Sequence, residues 1–116
     1  MRVLLVDDEK KFATMLAKRL ALRGIDVDYV HSGEDAIAKM ETSSYDVAIL
    51  DVKMPGIGGI ELERQLKKMV PEMKFIFLTG HGSKTDFETG SAQVARYLAK
   101  PIQIDELIEI LREVTG

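Results

Sequence analysis

Cysteine is absent from this chain of 116 residues, so neither a disulfide scaffold nor a thiolate metal site is possible. A long apolar run is absent as well. In the first residues, MRVLLVDDEK, the acidic residues are preceded by one basic residue and only four consecutive apolar residues. Such a start predicts neither a signal peptide nor a transmembrane segment. We therefore expect no membrane partner, and the lack of cysteine is compatible with a cytoplasmic location.

An excess of positive charge is also lacking, because 16 Lys and Arg residues stand against 19 Asp and Glu residues, for a formal net charge of −3. Nucleic acids reward clustered basic residues, so we expect no direct nucleic-acid binding by this domain. No repeat, no low-complexity run and no linker rich in proline or glycine divides the chain. The sequence therefore predicts a single domain over residues 1–116.

Short apolar runs alternate with stretches of helical length, which is the pattern of an α/β fold. The runs are Val3–Val6, Val27–Val30, Val47–Leu50, Phe75–Leu78 and Tyr97–Ala99. Three of them (VLLV, VAIL and FIFL) are continuously hydrophobic, as strands covered on both faces are, whereas VDYV alternates and indicates an edge strand. We predict a doubly wound, five-stranded parallel sheet with helices on both faces and with the first strand between the second and the third.

Apolar periodicity and start and stop residues predict four helices. In the first helix, Phe12, Met15 and Leu16 are expected to share the face that packs on the core. The expected limits are Gly24 after the first helix, Ser32 as the N-cap of the second, Gly59 and Pro71 around the third, and Ile104 at the start of the last. Residues 83–95 contain a glycine and only scattered apolar positions, and they predict a short or frayed helix.

Polar side chains follow four of the predicted strands at the point where each strand ends. Asp7 and Asp8 come directly after VLLV, Asp51 after VAIL, Thr79 after FIFL and Lys100 after YLA. The carboxyl ends of parallel strands meet at one edge of the sheet, where open α/β sheets form their sites. We therefore expect these side chains to lie close together.

Three carboxylates in one pocket repel one another, so either their pKa values rise or a cation neutralises them. Oxygen ligands suit Mg²⁺ or Mn²⁺ better than zinc, and His31 is predicted on the far side of the second strand. The alternative is that Asp8 and Glu9 merely cap the first helix. Lys100 would then be a solvated surface amine, unless a cis bond to the following proline aims it over the sheet.

These residues resemble the receiver domain of two-component response regulators. The resemblance covers the whole length, in VLLVDDEK, YDVAILDVKMPGIGGIEL, FIFLTGHGS and RYLAKPIQIDELIEIL. It implies the flavodoxin-like strand order 2-1-3-4-5. It also implies that Asp51 accepts a phosphoryl group, and that Asp7, Asp8, Asp51 and the backbone carbonyl of Lys53 hold Mg²⁺ or Mn²⁺. Lys100 would offset charge on the phosphoryl oxygens, as phosphoryl transfer requires.

The resemblance further implies a switch, in which Thr79 moves to bond the phosphoryl group and Tyr97 changes position. The output surface would be the helix between the fourth and fifth strands, the fifth strand and the last helix. Lys53 and His81 would tune the lifetime of the phosphoryl group. Expected partners are a sensor histidine kinase or phosphotransfer protein and an output domain or downstream protein, with the chain a monomer or a phosphorylation-linked dimer. The chain departs from the family pattern at residues 93–94, where Gln-Val replaces the usual Gly-Ala pair.

Three other functions share parts of this pattern. A Mg²⁺-dependent phosphatase with a strand-end aspartate nucleophile typically carries a second aspartate two residues later, where this chain has Lys53. A flavin carrier of the same shape needs a Ser/Thr/Gly phosphate loop after the first strand, where this chain has DDEK. A degenerate receiver, which binds partners without phosphorylation, is disfavoured because the residues assigned to phosphorylation are all present. We therefore expect no enzyme activity beyond the chain's own phosphorylation and dephosphorylation.

Overall fold

A computed structural model describes residues 1–80 and 96–116 of the chain. These residues form five strands and four helices. The strands are β1 (Arg2–Val6), β2 (Asp26–Val30), β3 (Val47–Asp51), β4 (Lys74–Thr79) and β5 (Arg96–Ala99), and the helices are α1 (Lys10–Leu22), α2 (Gly33–Met40), α3 (Gly59–Met69) and α4 (Ile104–Thr115). The helix predicted within residues 83–95 lies outside the described residues.

All strand pairs are parallel and the order is β2-β1-β3-β4-β5, which confirms the predicted doubly wound sheet. β1 lies between β2 and β3, as predicted, so the strand ends that carry Asp7 and Asp51 are neighbours. β2 is an edge strand with no fully buried residue, which explains its alternating sequence. The second edge is β5, a strand of only four residues.

Successive residues of the central strands enter two different cores, one on each face of the sheet. On one face, residues such as Leu5, Ile49 and Leu78 pack with α1 and α4. On the other face, residues such as Leu4 and Leu50 pack with α2 and α3. Because alternate side chains point to opposite faces, a strand covered on both sides must be apolar throughout. This is why VLLV, VAIL and FIFL contain no polar residue.

Two predicted helix limits have clear local causes. The Ser32 hydroxyl accepts a hydrogen bond from the backbone N–H of Asp35 at 3.1 Å, which confirms Ser32 as the N-cap of α2. Gly24 follows α1 with a φ of +80°, a left-handed conformation that favours glycine.

The predicted position of Met15 in α1 is wrong, because this side chain is 38% exposed. The buried residues of α1 are Ala13, Leu16, Ala17 and Leu20. Met15 is two residues beyond Ala13, which is about 200° around the helix axis, so it faces away from the core. Among the described residues, no helix is both long enough and apolar enough to cross a membrane.

Candidate functional site

Three carboxylates converge at the carboxyl-terminal edge of the sheet. Asp7 directly follows β1, Asp8 comes next, and Asp51 is the last residue of β3. One carboxylate oxygen from each residue lies within 4.8 Å of the other two. Asp7 and Asp51 are 0% and 5% exposed, and Asp8 is half-buried. The pairing of β1 with β3 produces this convergence, because it aligns Val6 with Leu50 and so brings the next residues of both strands side by side.

Asp7 has one satisfied oxygen and one that lacks a hydrogen bond. Its Oδ1 accepts the backbone N–H of Glu9 at 2.9 Å, which fixes the turn between β1 and α1. Its Oδ2 is buried and lies 2.9 Å from the Lys100 ammonium, but within the described part of the chain this ion pair lacks the geometry of a hydrogen bond. The Lys100 ammonium thus neutralises part of the charge on this buried carboxylate, while Asp8 and Asp51 bring further negative charge within 4.8 Å.

Lys100 reaches into the acidic cluster from the end of β5. Its Nζ atom pairs with Asp7 and Glu9 and lies 3.8 Å from Asp51 Oδ1. The same ammonium lies 4.5 Å from the ring centroid of Phe12, which supplies a cation–π contact. The Lys100–Pro101 peptide bond is cis, and the side chain is only 15% exposed. Because its side chain is largely buried and its ammonium pairs with Asp7 and Glu9, Lys100 is part of the site and not a solvated surface amine.

The electrostatics of the cluster show its excess of negative charge. Burial, followed by the charge of Asp7, raises the pKa of Asp51 to about 7, although Lys100 opposes the shift. Burial also raises the pKa of Asp7 above its ordinary value, against the opposing contacts with Lys100 and the Glu9 N–H. For Lys100, burial lowers the pKa, but the contacts with Glu9 and Asp7 outweigh burial and the net shift is upward. One lysine thus compensates the acids only in part.

Helix capping does not explain the acidic residues. Glu9 occupies the N-cap position of α1, yet no side-chain hydrogen bond caps this helix. The Glu9 carboxylate instead contacts Lys100. The two residues are separated by 91 positions in the sequence, so sequence reasoning missed this contact. Sequence reasoning also missed the contact of the Lys100 ammonium with the Phe12 ring, because Phe12 was expected only as a core residue.

The loop after β3 is held tightly against the end of that strand. The backbone N–H of Gly59 donates to the carbonyl of Val52 at 3.0 Å. A Cβ atom at Gly59 would lie 2.3 Å from the backbone oxygen of Asp51, so only glycine allows α3 to begin so close to Asp51. The sequence signal was Gly59 at the end of DVKMPGIGG, eight residues after Asp51, but only the structure shows its close approach to Asp51.

The remaining residues that the sequence assigned to the site lie at different distances from the acidic cluster. Thr79 ends β4, is 4% exposed, and lies one residue beyond the partner of Asp51 in the neighbouring strand. Tyr97 in β5 is half-buried and stacks on Phe77 with ring centroids 5.4 Å apart. Lys53 is exposed on the loop after β3, and the role of its carbonyl stays a prediction. His81 and residues 93–94 lie outside the described residues.

His31 lies closer to the cluster than predicted. Its Nδ1 atom is 3.2 Å from the backbone carbonyl oxygen of Asp7, and its ring meets that of Tyr29 edge-on. The imidazole therefore contacts the backbone behind Asp7, while the group placed to hold a metal ion among the described residues consists of the three aspartates, the metal-ligating group.

The donor set fits a hard divalent cation. All three side-chain donors are carboxylate oxygens, which Mg²⁺ and Mn²⁺ prefer. The crowding of three carboxylates within 4.8 Å and the raised pKa of Asp51 both indicate negative charge that such an ion would neutralise.

Comparisons with known proteins agree with this geometry. A family model described as "Response regulator receiver domain" matches residues 3–112. The transcriptional regulatory protein TrcR of Mycobacterium tuberculosis is 37% identical over 112 residues, which are 96% of this chain and 44% of that protein. TcrA of the same species is 36% identical over 115 residues, which are 98% of this chain and 46% of that protein. The chain thus spans less than half the length of these curated relatives.

Solved structures lead to the same family. The receiver domain of the Francisella response regulator 1452 is 32% identical, has a TM-score of 0.86, and the match covers 98% of this chain and 95% of that one. The response regulator TrrA of Thermotoga maritima, solved in complex with Mg²⁺-BeF, is 32% identical with a TM-score of 0.85 and 97% coverage of both chains. The fold, the acidic cluster and these matches together show that the chain belongs to the response regulator receiver domain family of two-component systems.

Proposed function

We propose that this domain accepts a phosphoryl group on Asp51 in the presence of Mg²⁺ and uses it as a signal. The observation that carries the proposal is the meeting of Asp7, Asp8 and Asp51 within 4.8 Å of one another, with Lys100 beside them. A group of acids so crowded has little structural value, since its members repel one another and lose solvation. It is useful where charge must be balanced during a reaction.

The chemistry required of the chain is small. An Asp51 oxygen attacks phosphorus, and the bond from phosphorus to the donor nitrogen of a phosphohistidine breaks. The electron pair of that bond stays on the nitrogen, which takes up a proton. Later, water attacks the phosphorus and the bond to Asp51 breaks, which restores the carboxylate and releases inorganic phosphate and a proton. Because the chain would catalyse only these two steps on itself, we do not expect it to act as an enzyme on external substrates.

Lys100 would stabilise charge on a phosphoryl oxygen, since its ammonium is already 3.8 Å from Asp51 Oδ1. The residues that would hold the divalent ion are Asp7, Asp8 and Asp51, together with the backbone carbonyl of Lys53. When bound, the ion supplies the positive charge that three carboxylates and an incoming phosphoryl group need in common. Lys53 and His81 would influence how long the phosphoryl group persists.

The switch would depend on Thr79 and Tyr97. Thr79 is buried at the end of β4, next to the strand that ends in Asp51, so a phosphoryl group could draw its hydroxyl inward. Tyr97 stacks on Phe77 of the same strand as Thr79, which links its ring to any movement of β4. The signal would then leave through β5, α4 and the segment between β4 and β5.

The proposed partners follow from the family. A sensor histidine kinase or a phosphotransfer protein would donate the phosphoryl group in the cytoplasm, and an output domain or separate protein would receive the signal. The curated relatives are more than twice as long as their matched parts, which supports an output domain in those proteins. The chain itself would be a monomer or a dimer that forms on phosphorylation.

Incubation with acetyl phosphate and Mg²⁺, followed by mass spectrometry of the intact protein, tests the proposal. We expect a mass gain of one phosphoryl group in the wild type and none in Asp51→Asn. Asp26→Asn is a matched control, because it removes the same charge from an exposed site at the opposite end of the sheet. Steady release of phosphate without modification would favour a phosphatase. Absence of both modification and phosphate release would favour a receiver that binds partners without phosphorylation.

A further inference from the structure

The Lys100 ammonium contacts acidic side chains on two sides. On the inner side it meets Asp7 and Asp51, whose side chains taken alone are 0% and 7% exposed. On the outer side it meets Glu9, whose side chain is 62% exposed. Nζ contacts the carboxylates of Glu9 and Asp7 directly, but Asp51 Oδ1 is farther away at 3.8 Å. In this structure Lys100 is thus closer to Glu9 than to the proposed acceptor.

Glu9 differs from the other acids because it is outside the metal-ligating group, which consists of Asp7, Asp8 and Asp51. A divalent ion in that group would neutralise the attraction that Asp7 and Asp51 exert on Lys100, whereas Glu9 would keep its full charge. The balance would then move toward Glu9, and the contact with the Phe12 ring, whose centroid is 4.5 Å from Nζ, would help to hold the ammonium in its present position. Lys100 would have to leave Glu9 in order to reach a phosphoryl oxygen on Asp51.

We propose that Glu9 is a positioning residue that holds Lys100 on the solvent side of the site and thereby slows transfer of a phosphoryl group to Asp51. This inference rests on the function proposed above and adds a residue to it. Glu9 does not touch the acceptor in this role; it acts through Lys100.

The first test compares initial rates of acyl-phosphate formation with acetyl phosphate and saturating Mg²⁺. Glu9→Gln removes the charge but keeps the size of the side chain, and we expect it to react about two- to fivefold faster, the range for the loss of one exposed ion pair. Glu72→Gln is the matched control, because Glu72 is exposed near the start of β4, at the opposite end of the sheet, and we expect an unchanged rate.

The same substitution in a Lys100→Met background separates positioning from a general charge effect. If Glu9 acts through Lys100, Glu9→Gln has no effect on the slow reaction of Lys100→Met. An acceleration that persists in this background would overturn the proposal, since it would arise from weaker repulsion of the anionic donor. An equal or slower rate of Glu9→Gln in the wild-type background would also overturn it.

A crystal structure of Glu9→Gln without phosphodonor gives a readout that is independent of activity. We expect Lys100 Nζ to move inward, so that its distance from Asp51 Oδ1 becomes shorter than 3.8 Å. An unchanged ammonium position would overturn the proposal. If the wild type takes up no phosphoryl group but Lys100 moves in these crystals, the proposed function is wrong and the positioning of Lys100 by Glu9 is supported.

Discussion

The two ends of the sheet both gather carboxylates, but they balance them in different ways. At the amino-terminal end, Arg2 donates to Asp26 and Asp28 at 3.0 Å each, and its backbone N–H donates to Asp46 at 2.7 Å. The Tyr45 hydroxyl donates to Asp28 at 2.6 Å, and the Arg2 guanidinium lies 4.9 Å from the Tyr45 ring centroid. Asp26, Asp28 and Asp46 thus each accept a hydrogen bond, and the ion pairs of Arg2 are open to water.

At the carboxyl-terminal end the carboxylates are buried and Lys100 is shared among Asp7, Glu9 and Asp51. One oxygen of Asp7 has no hydrogen bond within the described residues, and the pKa of Asp51 is raised to about 7. The comparison separates acids that hold the fold together from acids kept at a cost to stability. A cost of this kind is typical of functional sites, where geometry is retained although it destabilises the protein.

The largest expected effect is a gain in the free energy of unfolding when the charge of Asp51 is removed from the carboxyl-terminal end of the sheet. The pKa of Asp51 is raised in the folded state, so folding binds a proton and the charged form is penalised as pH rises through about 7. With a chelator at about pH 8, Asp51→Asn should stabilise the protein by roughly 2–4 kcal/mol in urea unfolding. The gain should shrink as the pH falls below about 7 and should vanish only below about 4, where Asp51 becomes protonated in the unfolded state as well. A loss of stability at about pH 8 would show that Asp51 is not under charge strain.

The next largest effect is expected from Gly59→Ala, which tests how tightly the loop after β3 packs beside Asp51. Gly59→Ala would place a Cβ atom 2.3 Å from the backbone oxygen of Asp51, and we expect it to destabilise the protein by about 2–3 kcal/mol in urea unfolding. Gly58→Ala is the control, because its Cβ atom would be 3.4 Å from the nearest heavy atom, the backbone oxygen of Val52. Equal stability of the two variants would contradict the close approach of α3 to Asp51.

A smaller effect is expected from the hydrogen bond at the amino-terminal end. Tyr45 is 6% exposed, and Tyr45→Phe removes its bond to Asp28 while keeping the ring. We expect a loss of about 1 kcal/mol in the free energy of unfolding. Tyr29→Phe serves as the control, because Tyr29 is 40% exposed on the edge strand. If both substitutions are neutral, the amino-terminal acids do not stabilise the fold through this bond.

The smallest effect is expected from the exposed ion pairs. Arg2→Met keeps much of the aliphatic stem but removes the pairs with Asp26 and Asp28, so it should lower the melting temperature slightly in low salt. Salt screens exposed pairs, so the difference from wild type should diminish in high salt. Arg23→Met, which removes a single exposed pair with Asp105, provides the matched comparison. A difference that is unaffected by salt would mean that Arg2 acts through packing.

Most of the fold could be predicted because it follows from local pattern. Buried strands such as VLLV read as apolar runs, since alternate residues pack in separate cores on the two faces. Ser32 and Gly24 mark helix ends through bonds and backbone angles that depend on near neighbours. The prediction for Met15 was wrong because membership of an apolar segment does not determine which way a helix faces.

The site was predictable in outline for a related reason. Parallel strands align their carboxyl ends, so Asp7 and Asp51 could be expected together once β1 and β3 were expected to be neighbours. The contact of Glu9 with Lys100 could not, because side-chain positions depend on how α1 and β5 pack in three dimensions. Nor could the sequence tell that one oxygen of Asp7 would accept the Glu9 N–H while the other would pair with Lys100.

By itself, the sequence determined the α/β class, the order of the helices and strands, and which residues lie at the site. Periodicity and position at the end of a strand are local properties of the chain. The tertiary structure decided how charge is distributed at the site. It determines which acids are buried, which of them form ion pairs with Lys100, and how far the pKa of Asp51 rises. The reason is physical. Desolvation and ion pairing depend on distances between residues that are remote in the chain, and those distances exist only after folding.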